Sequence, residues 1–402
     1  MIVGAAFWVV LAGAAVATWL APARVRPGLL AAVSFVFLAR LDPRGLAVML
    51  AFALAFRALA PLAARPRRAF VLPVLIVAIL AYLAWFKYLP PVLAALRGAG
   101  EAVSPVVPLG LSYFSFKLIH YALETARGNL PPSGLGSYLA WVFLLPTFTA
   151  GPIERFDHFL AARPPRLDGA LVAEGLTRVA HGLIKKFVLV GIVIESISPG
   201  HGTPAQVGRL LAELPERPVP EVWGFCALSF LTMYLDFSAY SDIAIGASLL
   251  LGYRIMENFD WPILASDISA FWSRWHMTLT GWCQSYVFMP VLGLTRRLTA
   301  AIFAGFLAIG LWHAGTGCWA AWGLYHAAGV IAFHAWQSAR ERRGAAGEVG
   351  PVRRAAGTLL TLAFVTGSFA LLAGDEAGGL RDGLRILARL AGLDLPARAE
   401  AS

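Results

Sequence analysis

The stretch Leu298-Thr-Ala-Ala-Ile-Phe-Ala-Gly-Phe-Leu-Ala-Ile-Gly-Leu-Trp-His313 opens a run of forty-two residues, 298 to 339, without Asp, Glu, Lys or Arg. Arg297 and Arg340 close the run at its two ends. A bilayer core needs about 20 mostly apolar residues per helix, so this run is long enough for two membrane helices and a turn. The turn is marked inside it, because Gly310, Gly315 and Gly317 surround His313 and weaken the helix there. Further charge-free or nearly charge-free runs lie at 1–23, 27–39, 45–56, 69–86, 102–116, 128–153, 222–235, 275–295 and 355–374. Weaker amphipathic segments lie near 170–198 and 237–253. Together they predict an all-α polytopic membrane protein with about ten or eleven membrane helices. Several runs are too short to span alone. They are expected to enter and return or to lie at the interface, which is allowed only where protein or water satisfies the backbone.

Composition agrees. Of 402 residues, 58% are hydrophobic and 14% charged, whereas an ordinary soluble domain carries roughly 25% charged residues. That deficit excludes a disordered chain, a coiled coil and a disulfide scaffold. The net charge of +10 is spread as short arginine groups between apolar runs, the pattern of the positive-inside rule and not of a nucleic-acid surface. Arg24/Arg26, Arg65-Pro-Arg67-Arg68, Arg163/Arg166 and the stretch Arg340–Arg354 read as cytoplasmic loops. The N-terminus then lies outside, as do Asp375-Glu376 and the Glu213/Glu216 loop. Residues 1–23 lack a basic n-region and read as an anchor helix, not a cleaved leader. Cys226, Cys283 and Cys318 have neither disulfide nor metal-type spacing. No metal and no tightly held cofactor is expected.

Polar groups inside such a chain are expensive, so each buried one needs a reason. The first concentration is Tyr234-Leu-Asp236-Phe-Ser-Ala-Tyr240-Ser-Asp242. Asp236 and Tyr240, four apart, share a helix face. They either tie two helices together or line a water-accessible site. The second is Asp267-Ile-Ser-Ala-Phe-Trp272-Ser-Arg274-Trp275-His276. At helical spacing Trp272, Trp275 and His276 share a face and Arg274 is rotated away. Such a density of Trp and Arg also suits a plain interfacial helix. The third is Ile309-Gly-Leu-Trp312-His313-Ala-Gly-Thr-Gly317. His313 is either a satisfied core residue or an imidazole that titrates near neutral pH and meets a small substrate. On these residues alone, a polytopic chain with two intramembrane histidines could equally move protons or a small solute. No glycine-rich phosphate loop, Gly-x-Ser-x-Gly, HExxH or histidine-rich box is present.

Six blocks in order resemble the membrane-bound O-acyltransferase family, from about Pro108 to Gln337. They are Pro108-Leu-Gly-Leu-Ser-Tyr-Phe-Ser-Phe116, Thr149-Ala-Gly-Pro-Ile-Glu-Arg-Phe156 and Asp236-Phe-Ser-Ala-Tyr-Ser-Asp-Ile-Ala-Ile-Gly246. Asn258-Phe-Asp, Phe271-Trp-Ser-Arg-Trp-His-Met-Thr-Leu279 and Gly310-Leu-Trp-His-Ala-Gly315 complete them. The chain looks most like the bacterial branch that holds the DltB-type enzymes of teichoic-acid D-alanylation and the AlgI-type enzymes of exopolysaccharide acetylation. One departure stands out: both subgroups usually carry an Arg-Asp pair where this chain has Gln284-Ser285.

The resemblance implies one membrane domain, 1–402, with helices around a central tunnel. Its expected parts are N-terminal helices (1–100), an acyltransferase core (105–337), a basic cytoplasmic loop (340–354) and a C-terminal helix and tail (355–402). It implies transfer of a D-alanyl or acetyl group from a cytoplasmic phosphopantetheine thioester, on a carrier protein or CoA. The acceptor is a hydroxyl of an extracytoplasmic polysaccharide, a cell-wall polymer or a small acceptor protein. By position His313 matches the family's catalytic histidine and His276 the second histidine of bacterial members. Asp236, Tyr240, Asp267, Trp272, Arg274, Trp275 and Trp312 are candidates to bind or orient substrate. A bacterial cytoplasmic membrane, the lipid bilayer and an acidic acyl carrier docked on the arginine loops are the expected setting. A family member without catalysis, acting as a scaffold, is the remaining alternative.

Overall fold

Where a chain carries so few charges, backbone hydrogen bonds have to be completed within it, and helices do this residue by residue. The computed structural model describes residues 4–90, 92–93, 107–161, 168–344 and 350–396. The Arg163/Arg166 group lies outside the described residues. Among them every regular element is helical, giving a multi-pass all-α membrane protein. Four helices are long and apolar enough to cross a bilayer unaided: Pro43–Ala64, Pro66–Lys87, Val219–Leu250 and Pro351–Ala377. Shorter apolar helices include Ala5–Leu20 and Leu298–His313.

The run 298–339 folds as expected, into helices Leu298–His313 and Gly317–Arg342 with a turn between them. Elsewhere the pattern of charges misled. The segments expected at 222–235 and 237–253 form one continuous helix, Val219–Leu250. Asp236 and Asp242 stay inside it because each has a cation: Lys186 pairs with Asp236 and Arg178 lies 3.0 Å from Asp242. The run 128–153 gives only a short helix, Leu135–Val142, and then irregular chain. Pro146 and Gly151-Pro152 interrupt it. Side chains take over the exposed backbone groups: Lys117, 1% exposed, donates from Nζ to the carbonyls of Trp141 (2.9 Å) and Val142 (3.4 Å) at that helix's end.

The chain divides into two compact units interleaved in sequence. The first comprises Met1–Ile184 and Phe237–Asn258, the second Lys185–Asp236 and Phe259–Ser402. The core of the first unit gathers Tyr121, Tyr138, Trp141 and Phe156, with ring centroids 4.6–6.4 Å apart. Two carboxylates organise its irregular chain. Asp42 caps helix Pro43–Leu59 through Gly45 N (2.8 Å) and accepts from Leu109 N (3.1 Å). Glu154, 1% exposed, accepts from Met256 N (2.7 Å) and binds His158 Nδ1 (2.5 Å). Next to Leu109, Gly110 has φ 74°, and a Cβ there would come 2.4 Å from the Phe148 carbonyl, so only glycine fits.

Helices Gly169–Leu183 and Val219–Leu250 meet through glycine. A Cβ on Gly246 would lie 2.6 Å from Gly175 O, and one on Gly182 would lie 2.7 Å from Ala239 O. Small residues let two backbones approach this closely, which is how helices associate when lipid offers no hydrophobic contrast. Gly246→Leu should therefore destabilise the protein by about 1–3 kcal/mol. Thermal unfolding in detergent would register it; an unchanged transition would mean that the crossing is loose.

The Glu154 carboxylate, by hydrogen bond and then by charge, raises the His158 pKa above its ordinary 6.5, against the opposing effect of burial. A group raised on folding adds stability that is fully present below the unfolded pKa and is lost as pH climbs through the folded one. The difference in melting temperature between wild type and His158→Gln should therefore be largest at pH 6 and vanish in the alkaline range. A difference independent of pH would rule out the ion pair as its source.

Candidate functional site

The second unit holds both candidate histidines. His313 is the last residue of helix Leu298–His313. The helix ends because Ala314 turns extended (φ −154°, ψ 153°) and Thr316 caps the next helix, accepting from Trp319 N at 3.5 Å. Partly exposed, the His313 ring stacks on Trp319 with centroids 4.4 Å apart and planes 16° from parallel. Trp312 stands 4.6 Å away and Trp322 6.0 Å away, both edge-on.

His276 reaches the same place from another segment. The helix expected to run on from Asp267 is broken: Ile268–Trp272 and Met277–Cys283 are separate, with His276 between them. His276 has φ 43° and ψ 52°, left-handed values that cost an L-residue with a side chain roughly 1–2 kcal/mol. Its ring is 3% exposed and lies 6.3 Å from the Trp312 ring, which also stands against His313. Strained backbone of this kind clusters at functional sites, and here it buries a histidine against the tryptophan that a second histidine also touches.

The remaining candidates divide clearly. Trp272 joins the aromatic wall, 5.7 Å from Trp322 and 5.0 Å from His326. Trp275 instead stacks on Phe271 (5.5 Å, 18°) and packs near Phe230 and Tyr234. The carbonyl of Arg274 accepts from Asp260 N at 3.0 Å. Asp267 caps helix Ile268–Trp272, accepting from Ala270 N at 2.7 Å. Asp236 is held by Lys186, and Tyr240, in the first unit, shares a 2.7 Å hydrogen bond with Thr149 Oγ1. The site thus gathers His276, Trp312, His313 and Trp272, while Asp236, Tyr240, Asp267 and Trp275 have other partners.

Sequence reasoning missed Trp319, Trp322 and Asp375. The last accepts from Thr316 Oγ1 (2.6 Å) and Trp319 Nε1 (3.0 Å). Only the spacing of Trp319 and Trp322 on one helix face after the glycine break hinted at them. His326, 1% exposed, packs among Trp272, Trp322 and Phe364 as a core residue.

A cavity of about 290 Å³ opens beside the helix that carries His313. Leu298, Ile302, Gly305, Phe306 and Ile309 line it, a stripe in steps of three and four whose next member is His313. Facing them are Trp272, Cys283, Gln284 and Phe288. Gln284–Phe288 is a π-helical turn, a form found mostly at functional sites. Gly305 keeps the cavity wide, since a Cβ there would meet only the Phe288 Cβ, at 3.9 Å. Among the described residues no three His, Cys, Asp or Glu side chains gather as a metal site would. The arrangement suits proton transfer beside an apolar slot.

Comparison with known proteins bears on this geometry. The profile of the membrane-bound O-acyltransferase family matches residues 76–344. A probable alginate O-acetylase of Azotobacter vinelandii is 31% identical over 228 residues, 55% of this chain and 43% of that one. A teichoic acid D-alanyltransferase of Streptococcus thermophilus is 31% identical over 242 residues, 57% of each chain. A peptidoglycan O-acetyltransferase of Helicobacter pylori is 26% identical over 276 residues, 60% of this chain and 50% of its own. The chain spans about half the length of the curated relatives it matches.

The backbone at His276 makes a test of its own. Glycine adopts left-handed angles freely, and alanine does not. His276→Gly should melt no lower than His276→Ala, although both lose the same ring. The usual order, with alanine the more stable, would mean that this backbone relaxes out of the left-handed region.

Proposed function

Because the chain belongs to the membrane-bound O-acyltransferase family, we propose that it moves an acyl group, D-alanyl or acetyl, from a thioester to a hydroxyl of an extracytoplasmic polymer. The observation that carries this reading is that His276 and His313 both lie against Trp312, while an apolar cavity opens beside the helix that ends at His313. The donor is a phosphopantetheine thioester supplied from the cytoplasm by CoA or by an acyl carrier protein. Its slender arm suits a cavity lined by Ile302, Gly305 and Ile309. Arginine loops at Arg65–Arg68 and Arg340–Arg343 would attract an acidic carrier. The setting is a bacterial cytoplasmic membrane, and a small acceptor protein could stand in for the polymer on the outer side.

Chemistry follows from the two imidazoles. The acceptor oxygen attacks the thioester carbonyl while a His313 nitrogen takes the hydroxyl proton. The carbonyl oxygen becomes an oxyanion, which a His276 N–H stabilises by hydrogen bond. Collapse of the tetrahedral intermediate breaks the carbon–sulfur bond. The departing sulfur takes the proton back from His313 and leaves as a thiol, so no proton is gained or lost. The stacked face of Trp319 stabilises the positive imidazolium between the two proton transfers.

General-base catalysis contributes typically ~10²–10⁴-fold. Purified His313→Ala in lipid should lose turnover by that order and keep its melting temperature. Radiolabelled acetyl-CoA and a D-alanyl-charged carrier protein, offered separately, would identify the donor. Wild-type turnover by a folded His313→Ala protein would overturn the assignment. Consumption of neither donor by the wild type would return weight to transport or to a scaffold without catalysis.

A further inference from the structure

We infer that Asp375 is a positioning residue for His313, acting through the indole of Trp319. This rests on the acyl-transfer reading for its consequence but not for its geometry. Helix Leu298–His313 ends at His313, so no following turn of helix holds that side chain in place. The ring is held by the Trp319 face, 4.4 Å away and 16° from parallel. An indole alone can slide or tip. Here its Nε1–H is bound to Asp375 Oδ2 at 3.0 Å, which fixes the plane of the ring.

The other carboxylate oxygen, Oδ1, accepts from Thr316 Oγ1 at 2.6 Å, and that same hydroxyl oxygen caps Trp319 N. Asp375 therefore grips both the turn that stops the histidine helix and the ring on which the histidine lies. It does so from a different helix, Pro351–Ala377. A half-buried carboxylate with two hydrogen bonds is firmly held, since charged acceptors make hydrogen bonds about twice as strong as neutral ones. Removing it would free three torsions at once: the Trp319 ring, the Thr316 hydroxyl and, through them, the His313 imidazole. Misplacement of a base by a fraction of an ångström costs rate and not affinity.

The test combines Asp375→Ala, Asp375→Asn, Trp319→Phe and the double variant Asp375→Ala/Trp319→Phe in full-length protein in lipid. Two readouts are taken: turnover with whichever donor the wild type consumes, and the rate of His313 carbethoxylation by diethyl pyrocarbonate, followed by peptide mass spectrometry. For Asp375→Ala, kcat should fall about 10- to 100-fold with the donor KM within about twofold. Trp319→Phe keeps a ring but loses the N–H, so it should lose a comparable factor. The double variant should be no worse than the poorer single one, because both break one linkage.

Asp375→Asn keeps an acceptor for Trp319 Nε1 and, with the Thr316 hydroxyl turned to accept, both links. It should restore most of kcat. Carbethoxylation of His313 should speed up in Asp375→Ala and Trp319→Phe and not in Asp375→Asn. Additive losses, a rise in KM alone, or an unchanged carbethoxylation rate would overturn the proposal. If the wild type consumes no donor, acyl transfer fails as a reading, and carbethoxylation still decides the clamp.

Discussion

A helix that stops inside a bilayer exposes carbonyls and N–H groups to a medium that offers them nothing. Three interruptions among the described residues are accordingly met by a charged side chain. Lys117 reaches the carbonyls that end Leu135–Val142, Asp42 binds both Gly45 and Leu109, and Asp375 takes hold of Thr316 and Trp319. These few charged groups are spread through an apolar interior that would otherwise permit only unbroken spans. The break that Asp375 holds is the one at which His313 lies.

Legibility divides along the same line. The hairpin around His313 is plain in the sequence, because a charge-free run twice the length of a span must turn, and glycines mark where. The amphipathic C-terminal helix, Leu380–Leu390, is equally plain. Val219–Leu250 is not, since Asp236 and Asp242 look like ends until Lys186 and Arg178, fifty or more residues earlier in sequence, are seen to neutralise them. Pairings of that range leave no trace in local pattern. The break at His276 is hidden as well, for nothing in Trp272-Ser-Arg-Trp-His276 forbids a continuous helix; the left-handed backbone is imposed by packing.

The candidate site is half visible. His276 and His313 both lie against the Trp312 ring, and Trp272 is linked to His313 through Trp322. Asp236, Tyr240 and Asp267 look like orienting groups because they are polar and well spaced, yet spacing within one helix says nothing about which other helix is opposite. The carboxylate that does touch the site's surroundings, Asp375, reads in the sequence only as a charge marking the outer side. Its partner on the ring, Trp319, is one of thirteen tryptophans, and composition gives no reason to single it out.

The π-helical turn Gln284–Phe288 has an evolutionary side. Such a turn amounts to one residue more than an α-helix would hold, and adding or deleting a residue rotates the downstream helix by about 100°. A single-codon insertion or deletion here would swing Phe288 against or away from the gap above Gly305. The slot could therefore change its bore in one genetic step. Lineages with this fold would then have a short path between slots of different width.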